Sequence, residues 1–212
     1  MPFLLAALGF LSGSVLYSAV LPKLVKGIDI RQLAPDHNPG AANAFQYGGV
    51  PVGIASLLCD LLKALLPVRL AFHLVGLDSP LFALCLCAPV LGHAFSPFAH
   101  FKGGKAIAAS FGALLALLPD SHILVHLAFW YILFSTLVLV RPHAYRTVLS
   151  FGLTALAAAR QPFISVTLGV FAIFATVSSK HLSSMEKQAF SLHLAGLKIY
   201  PSSFHKNHAA TH

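Results

Sequence analysis

Two glycines held between two lysines, directly ahead of an apolar run, form the densest chemical signal in this chain. The string reads Gly92-His93-Ala94-Phe95-Ser96-Pro97-Phe98-Ala99-His100-Phe101-Lys102-Gly103-Gly104-Lys105 and leads into an Ala/Leu-rich segment. Residues without a Cβ let the backbone come close to a ligand. Amide N–H groups at the start of a following helix would then face an anion, with Lys102 and Lys105 adding charge. The spacing is not the Walker form, which places four residues between its glycines. Phosphate binding is the chemistry it fits, and a lysine-flanked turn at a membrane surface is the structural alternative.

A second string, Asp29-Ile30-Arg31-Gln32-Leu33-Ala34-Pro35-Asp36-His37-Asn38-Pro39-Gly40-Ala41-Ala42-Asn43, lies between two hydrophobic segments. It carries more hydrogen-bonding groups than a plain connector needs, although Asp, Asn, Pro and Gly also favour turns. Asp36 and His37, next to Asn38, form an acid–base pair in one reading. Asp60 and Lys63 share a helical face inside an apolar segment, where ionisable groups are costly unless paired or wet. A mutual pair or a polar cavity is expected there. Lys180-His181 closes the last apolar segment. His122-x3-His126 and His205-x2-His208-x3-His212 have metal-ligand spacing, but no carboxylate or Cys accompanies them, and no metal site is expected.

The elements that must position these groups follow from composition. Apolar residues make up 57% of the 212 and charged ones only 9%, against about 25% charged in a soluble domain. So few charges cannot supply the skin that keeps a soluble fold dispersed, and 17 Phe with long Leu/Ala/Val runs are the reverse of disorder. The chain reads as an all-α, polytopic integral membrane protein. Its formal charge of +8 would point to nucleic acid only if the basic residues clustered. They are scattered one to three at a time between apolar segments, so no nucleic-acid partner is expected. Cys59, Cys85 and Cys87 lie in apolar stretches without Cys-x-x-Cys spacing and read as buried hydrophobes.

Seven apolar segments are expected to cross or enter the membrane, at residues 3–21, 50–68, 81–95, 106–118, 123–140, 145–159 and 163–177. Several fall short of the ~20 residues that cross a bilayer unaided, so the third, fourth and sixth are expected to be tilted, re-entrant or half-buried. The first has no positive charge before it and Lys23 and Lys26 after it, the reverse of a secretory signal. Eleven of the 14 Lys and Arg residues then fall on one side, with Arg69 and Arg160 opposite and Lys63 inside a span. That asymmetry places the N-terminus outside and the C-terminus in the cytoplasm. Five spans keep the same alternation if segments three and four are both absent. Residues 1–186 read as one multi-span domain and 187–212 as a cytoplasmic tail.

Taken in order, the Asn- and Gly-bearing first loop, the Asp-x-x-Lys of the second span, the Lys-Gly-Gly-Lys string and the basic-His end resemble the bacterial acyl-phosphate:glycerol-3-phosphate acyltransferase family. Gly13-Ser14 and Lys23…Gly27-Ile28-Asp29-Ile30-Arg31 follow its opening segment, and the resemblance covers about residues 9–187. It implies a seven-helix fold of the bacterial inner membrane with the active site facing the cytoplasm. It also implies fatty acyl transfer from acyl phosphate to the 1-hydroxyl of glycerol 3-phosphate, yielding lysophosphatidic acid for phospholipid synthesis, by a monomer using no cofactor. Lys105 and His181 would then be catalytic. Asn38, Gly40, Asn43, His93, Lys102, Gly103, Gly104 and Ser184 would bind substrate, and membrane lipid would surround the chain. The acceptor's own phosphate can take the hydroxyl proton, so the reaction needs no side-chain base.

The chain departs from that family's pattern at specific positions. Asp36 stands where the family has Ser, Ala42 where it has Thr, and Gln46 where it has Arg. Ser184 stands where it has Asn, and Ser150 is the remnant of a Ser-rich segment. Two alternative readings are a family member that binds a phosphorylated metabolite or lipid without turnover, and a small transporter.

Overall fold

The computed structural model describes residues 1–184, 191–194 and 197–198. The first apolar segment folds as two helices, α1 (Pro2–Ser14) and α2 (Tyr17–Lys26), bent by 40° at their junction. Lys23 and Lys26 close α2, where cations suit the negative end of the helix dipole. The polar loop that follows holds a single-turn helix, α3 (Ile30–Leu33), capped by Asp29, whose carboxylate accepts the Arg31 N–H at 3.1 Å. A short helix, α4 (Ala41–Gly48), begins directly after Gly40.

The longest element, α5 (Val50–Val75), has 26 residues and a mean hydropathy of 1.7 in its most apolar stretch. At 1.5 Å per residue it reaches about 39 Å, more than the ~30 Å hydrocarbon core. Ile54, Leu58, Leu62, Leu66, Leu70 and Leu74 are all exposed. They recur every four residues and form one stripe along the helix. Such a stripe in water would be an aggregation surface, whereas lipid solvates it. The opposite face buries Ser56, Asp60, Lys63, Ala64 and Val68 against the protein.

At the centre stands α6 (Phe82–Ala94), buried over most of its length and packed against α1, α5, α7 (Ile107–Leu115) and α10 (Ile164–Ser183). Gly92 permits the α1 contact, since a Cβ there would lie 2.0 Å from the Phe10 carbonyl oxygen. Without hydrophobic attraction between helices in lipid, such close packing is a main source of association. Two further helices are α8 (Ile123–Thr136) and α9 (His143–Ala158). Arg69 of α5 donates to the Ala116 and Leu118 carbonyls at 3.0 and 3.1 Å, satisfying oxygens left free at the end of α7.

Among the described residues three helices are long and apolar enough to cross a membrane, Val50–Val75, Phe82–Ala99 and Ile164–Ser183, with the bent α1–α2 pair as a fourth. The helix α8 is shorter but apolar. The fifth segment differs from its expected all-helical form, because its end turns into a strand, β1 (Val138–Arg141). β-branched Val138 and Val140 favour that conformation, and β2 (Ser191–Leu194) supplies an antiparallel partner, itself paired to β3 (Leu197–Lys198). The all-helical expectation is corrected to that extent: a small sheet ties part of the C-terminal stretch to the helical body. The His205, His208 and His212 spacing lies outside the described residues.

Candidate active site

The site is built around a helix break. Bending between α1 and α2 frees the Val15 carbonyl, and the Lys63 ammonium fills the gap by donating to it at 2.5 Å. The same ammonium sits 2.7 Å from Asp60 Oδ1 and 2.8 Å from His93 Nδ1. Asp60 Oδ2 accepts from the Ser18 hydroxyl at 2.5 Å. Asp60, Lys63 and His93 are 1%, 5% and 3% exposed, so α2, α5 and α6 are joined by one water-poor polar cluster. The expected Asp60–Lys63 pair is therefore present, and it belongs to a larger network.

His93 in turn seats the Lys-Gly-Gly-Lys loop. The Gly104 N–H donates to the His93 carbonyl at 3.0 Å. A Cβ on Gly103 would fall 2.0 Å from that oxygen, and one on Gly104 only 2.3 Å from His93 Nε2. The glycines are needed for close approach of the loop to this histidine. Ala106, the next residue but one, adopts φ 60° and caps the N-terminus of α7. A left-handed alanine costs about 1–2 kcal/mol, and strain of this kind is held where the surrounding structure fixes it.

A cavity of about 580 Å³ opens above this cluster. The first residues of three helices line it: Gly40, Ala41 and Ala42 at α4, Ala106, Ile107 and Ala108 at α7, and His143, Arg146 and Thr147 at α9. A helix N-terminus carries partial positive charge, and three of them border this one space. Lys105 and Arg146 add side-chain cations. Leu57, Leu61, Phe111 and Tyr131 supply an apolar wall, with Phe111 and Tyr131 meeting edge to face at a centroid distance of 6.1 Å.

Of the residues singled out in the sequence, Asn38, Gly40, Asn43, His93, Lys105 and His181 all line this cavity. They come from positions up to 143 residues apart in the chain. His181 is 4% exposed and its Nε2 has no hydrogen-bond partner, which leaves a buried polar atom for a ligand to satisfy. Lys102, Gly103, Gly104 and Ser184 are not among the lining residues. Lys102 is exposed, and the glycines serve the His93 contact. The Ser184 hydroxyl donates to the Lys180 carbonyl at 2.8 Å, at the end of α10.

Asp36 and His37 are not joined to each other as an acid–base pair. Asp36 Oδ2 accepts from Lys105 Nζ at 2.9 Å, while Oδ1 accepts from Asn43 Nδ2 at 3.0 Å and the Asn38 N–H at 3.2 Å. His37 Nδ1 bonds the Arg31 carbonyl at 2.7 Å instead. Burial alone would raise the Asp36 carboxyl, but Lys105, Asn43 and the Asn38 amide together hold it below its ordinary 3.8.

Four lining residues, Tyr131, His143, Arg146 and Thr147, were not singled out from the sequence. Arg146 lies over the Tyr131 ring at 5.4 Å and hydrogen-bonds His143 Nδ1, while its own Nε is buried without a partner. The Tyr131 hydroxyl lies 3.2 Å from Thr147 Oγ1, which fixes the ring under the guanidinium. The available signal was the cluster Arg141-Pro142-His143…Arg146 ahead of an apolar segment, on the same predicted face as Lys102 and Lys105.

A family profile described as glycerol-3-phosphate acyltransferase matches residues 3–189. The chain belongs to that family. Glycerol-3-phosphate acyltransferase 1 of Thermotoga maritima is 41% identical over 116 residues, 52% of this chain and 55% of the relative. The Bacillus subtilis glycerol-3-phosphate acyltransferase is 42% identical over 133 residues, 63% of this chain and 67% of the relative. The chain thus matches little more than half the length of the two Thermotoga maritima relatives, at 55% and 58%. The crystal structure of PlsY, an integral membrane glycerol 3-phosphate acyltransferase in its glycerol 3-phosphate form, superposes with a TM-score of 0.74 at 25% identity. That agreement covers 86% of this chain and 88% of PlsY. Together with the lipid-facing stripe on α5, it makes this family member an integral membrane protein.

Proposed function

We propose that this acyltransferase-family chain moves a fatty acyl group from acyl phosphate to the 1-hydroxyl of glycerol 3-phosphate, giving lysophosphatidic acid and inorganic phosphate. The single observation that carries the reading is the cavity bordered by Lys105, Arg146 and three helix N-termini. Both substrates bear phosphate, and one concentrated positive site serves both. The PlsY structures in glycerol 3-phosphate and lysophosphatidic acid forms share this fold.

In the reaction the acceptor oxygen bonds to the acyl carbonyl carbon and the carbon–oxygen bond to the donor phosphate breaks. The phosphate leaves with the bonding electrons, and the hydroxyl proton passes to a phosphate oxygen. An activated donor needs orientation and charge neutralisation more than a strong base. Lys105 and Arg146 hold the phosphates, with Asn38, Gly40 and Asn43 shaping the loop around them. His181 offers Nε2 to the reacting oxygens. His93, Gly103 and Gly104 set the position of Lys105, and Lys102 adds a further positive charge to the same loop. Ser184 holds the end of α10 beside His181. The first carbons of the acyl chain lie along Leu57, Leu61 and Phe111.

Residues 1–186 act as the multi-span unit of a monomer in a bacterial inner membrane, with residues 187–212 as a cytoplasmic extension. The Lys and Arg asymmetry supports seven segments with the N-terminus outside and this cavity on the cytoplasmic side. At about 14 Å by its nine residues, α7 is too short to span alone and enters the bilayer as a buried partner of α5.

The test is acyl transfer by purified protein in detergent, from palmitoyl phosphate to glycerol 3-phosphate. Lysophosphatidic acid formed by the parent and lost in Lys105→Ala supports the reading, and no product from folded parent refutes it. A second reading, ligand binding without turnover, draws on the Asp36–Lys105 ion pair and predicts that refuting outcome with glycerol 3-phosphate still bound.

A further inference from the structure

We propose that Asp36 is an internal anion that competes with substrate phosphate for Lys105 and Asn43, and so sets the affinity of the cavity for its phosphorylated acceptor. The inference rests on the proposed binding of glycerol 3-phosphate in this cavity. The Asp36 carboxylate takes three donors at once: an ammonium at 2.9 Å, a side-chain amide at 3.0 Å and a backbone N–H at 3.2 Å. Ammonium, amide and backbone N–H are the donors that a phosphate group uses. All three belong to residues that line the cavity.

The carboxylate is held in place by its loop. His37 adopts φ 48° and its ring bonds the Arg31 carbonyl, which fixes the turn that aims Asp36 at Lys105. Yet the pair is not locked in the core, since the Asp36 and Lys105 side chains are 38% and 24% exposed. Partly exposed pairs are weak and readily exchanged, so a phosphate can replace the carboxylate and let Asp36 turn to water. Within the cavity Asp60 is neutralised by Lys63, and Asp36 offsets one of the two remaining cations, Lys105 and Arg146. Removing the Asp36 charge leaves both cations to the ligand.

Asp36 is poorly suited to act as a base. The same three donors that hold it favour its charged form, and a carboxylate so stabilised takes a proton from a hydroxyl reluctantly. Charge competition is the role that its geometry supports.

Calorimetric titration of the full chain in detergent, with glycerol 3-phosphate and without acyl donor, tests this. Asp36→Asn keeps the shape and removes the charge, and Asp36→Ser is a smaller second variant. Each is expected to bind about three- to tenfold tighter than the parent, with a matching fall in KM for glycerol 3-phosphate wherever turnover is seen. The gain should vanish when Lys105→Ala is added. Equal or weaker binding in both variants, from protein eluting as the parent does, overturns the proposal, and so does a gain that survives Lys105→Ala. A parent without acyl transfer whose variants still bind tighter upholds the competition and removes only the enzymatic reading. An active parent whose variants bind no tighter removes the competition alone.

Discussion

Gly104 lies so close to the His93 ring that any Cβ at that position would meet Nε2 at 2.3 Å. The His93 ring cannot retreat, because its other nitrogen is held by Lys63 at 2.8 Å. Gly104→Ala must therefore lift the loop and carry Lys105 away from the cavity. A displacement near 1 Å at a positioned group costs on the order of 100-fold in rate. We expect a fall of that size in kcat/KM for acyl transfer, with protein yield and elution like the parent's. Activity within threefold of the parent would mean that Lys105 is positioned by something other than this contact.

Asp60 and Lys63 form a pair whose loss should be felt in stability before activity. Both are buried, and Lys63 also closes the helix break at Val15. Asp60→Leu leaves an ammonium without its countercharge, a change that costs about 3–5 kcal/mol in buried pairs. Adding Lys63→Met removes the stranded charge, so the double variant should be more stable than Asp60→Leu alone. Thermal melting in detergent checks the order. A single variant as stable as the parent would show that water reaches the pair.

Which parts of this arrangement were legible in the chain depends on how local their causes are. The Lys-Gly-Gly-Lys loop was, because close approach and charge are written into four consecutive residues. Asp60 and Lys63 were, because two ionisable groups on one face of an apolar helix demand partners. The third partner, His93, was visible only as part of the loop string; its bond to Lys63 depends on how α6 packs beside α5. Arg146 and Tyr131 escaped notice for the same reason. An arginine ahead of an apolar helix looks like any loop cation until a ring 15 residues earlier is folded beneath it. The strand Val138–Arg141 was hidden because its pairing partner lies some 50 residues further on. Periodicity marks an apolar run, and it does not tell helix from strand in four residues.

His181 presents a buried Nε2 with no partner to the cavity, so its substitution should separate two kinds of role. Gln reaches a similar distance with groups that donate and accept hydrogen bonds, but it cannot carry a proton at neutral pH. If His181 orients the reacting oxygens, Gln should restore much of the rate that Ala loses. If it transfers a proton, both should fall by roughly 100-fold or more. Steady-state rates with saturating glycerol 3-phosphate decide between them. Parental rates in both variants would show that the imidazole plays no part in turnover.

Arg146 should prove more demanding than a simple positive charge. Its guanidinium rests over the Tyr131 ring at 5.4 Å, and the ring hydroxyl is held by Thr147 at 3.2 Å. The ring contact restrains the guanidinium, whose planar fork can make two parallel bonds to a phosphate. Charged hydrogen bonds are worth about 1.5–3 kcal/mol, so Arg146→Ala should raise KM for glycerol 3-phosphate roughly 10- to 150-fold. Arg146→Lys keeps the charge but loses the planar fork, and it should recover only part of that loss. Tyr131→Phe removes the hydroxyl tether without removing the ring, and should raise KM by a smaller factor than Arg146→Ala. The three variants form a graded series in KM for the acceptor. Full recovery by lysine would reduce Arg146 to a point charge, and the contact with Tyr131 would then be packing alone.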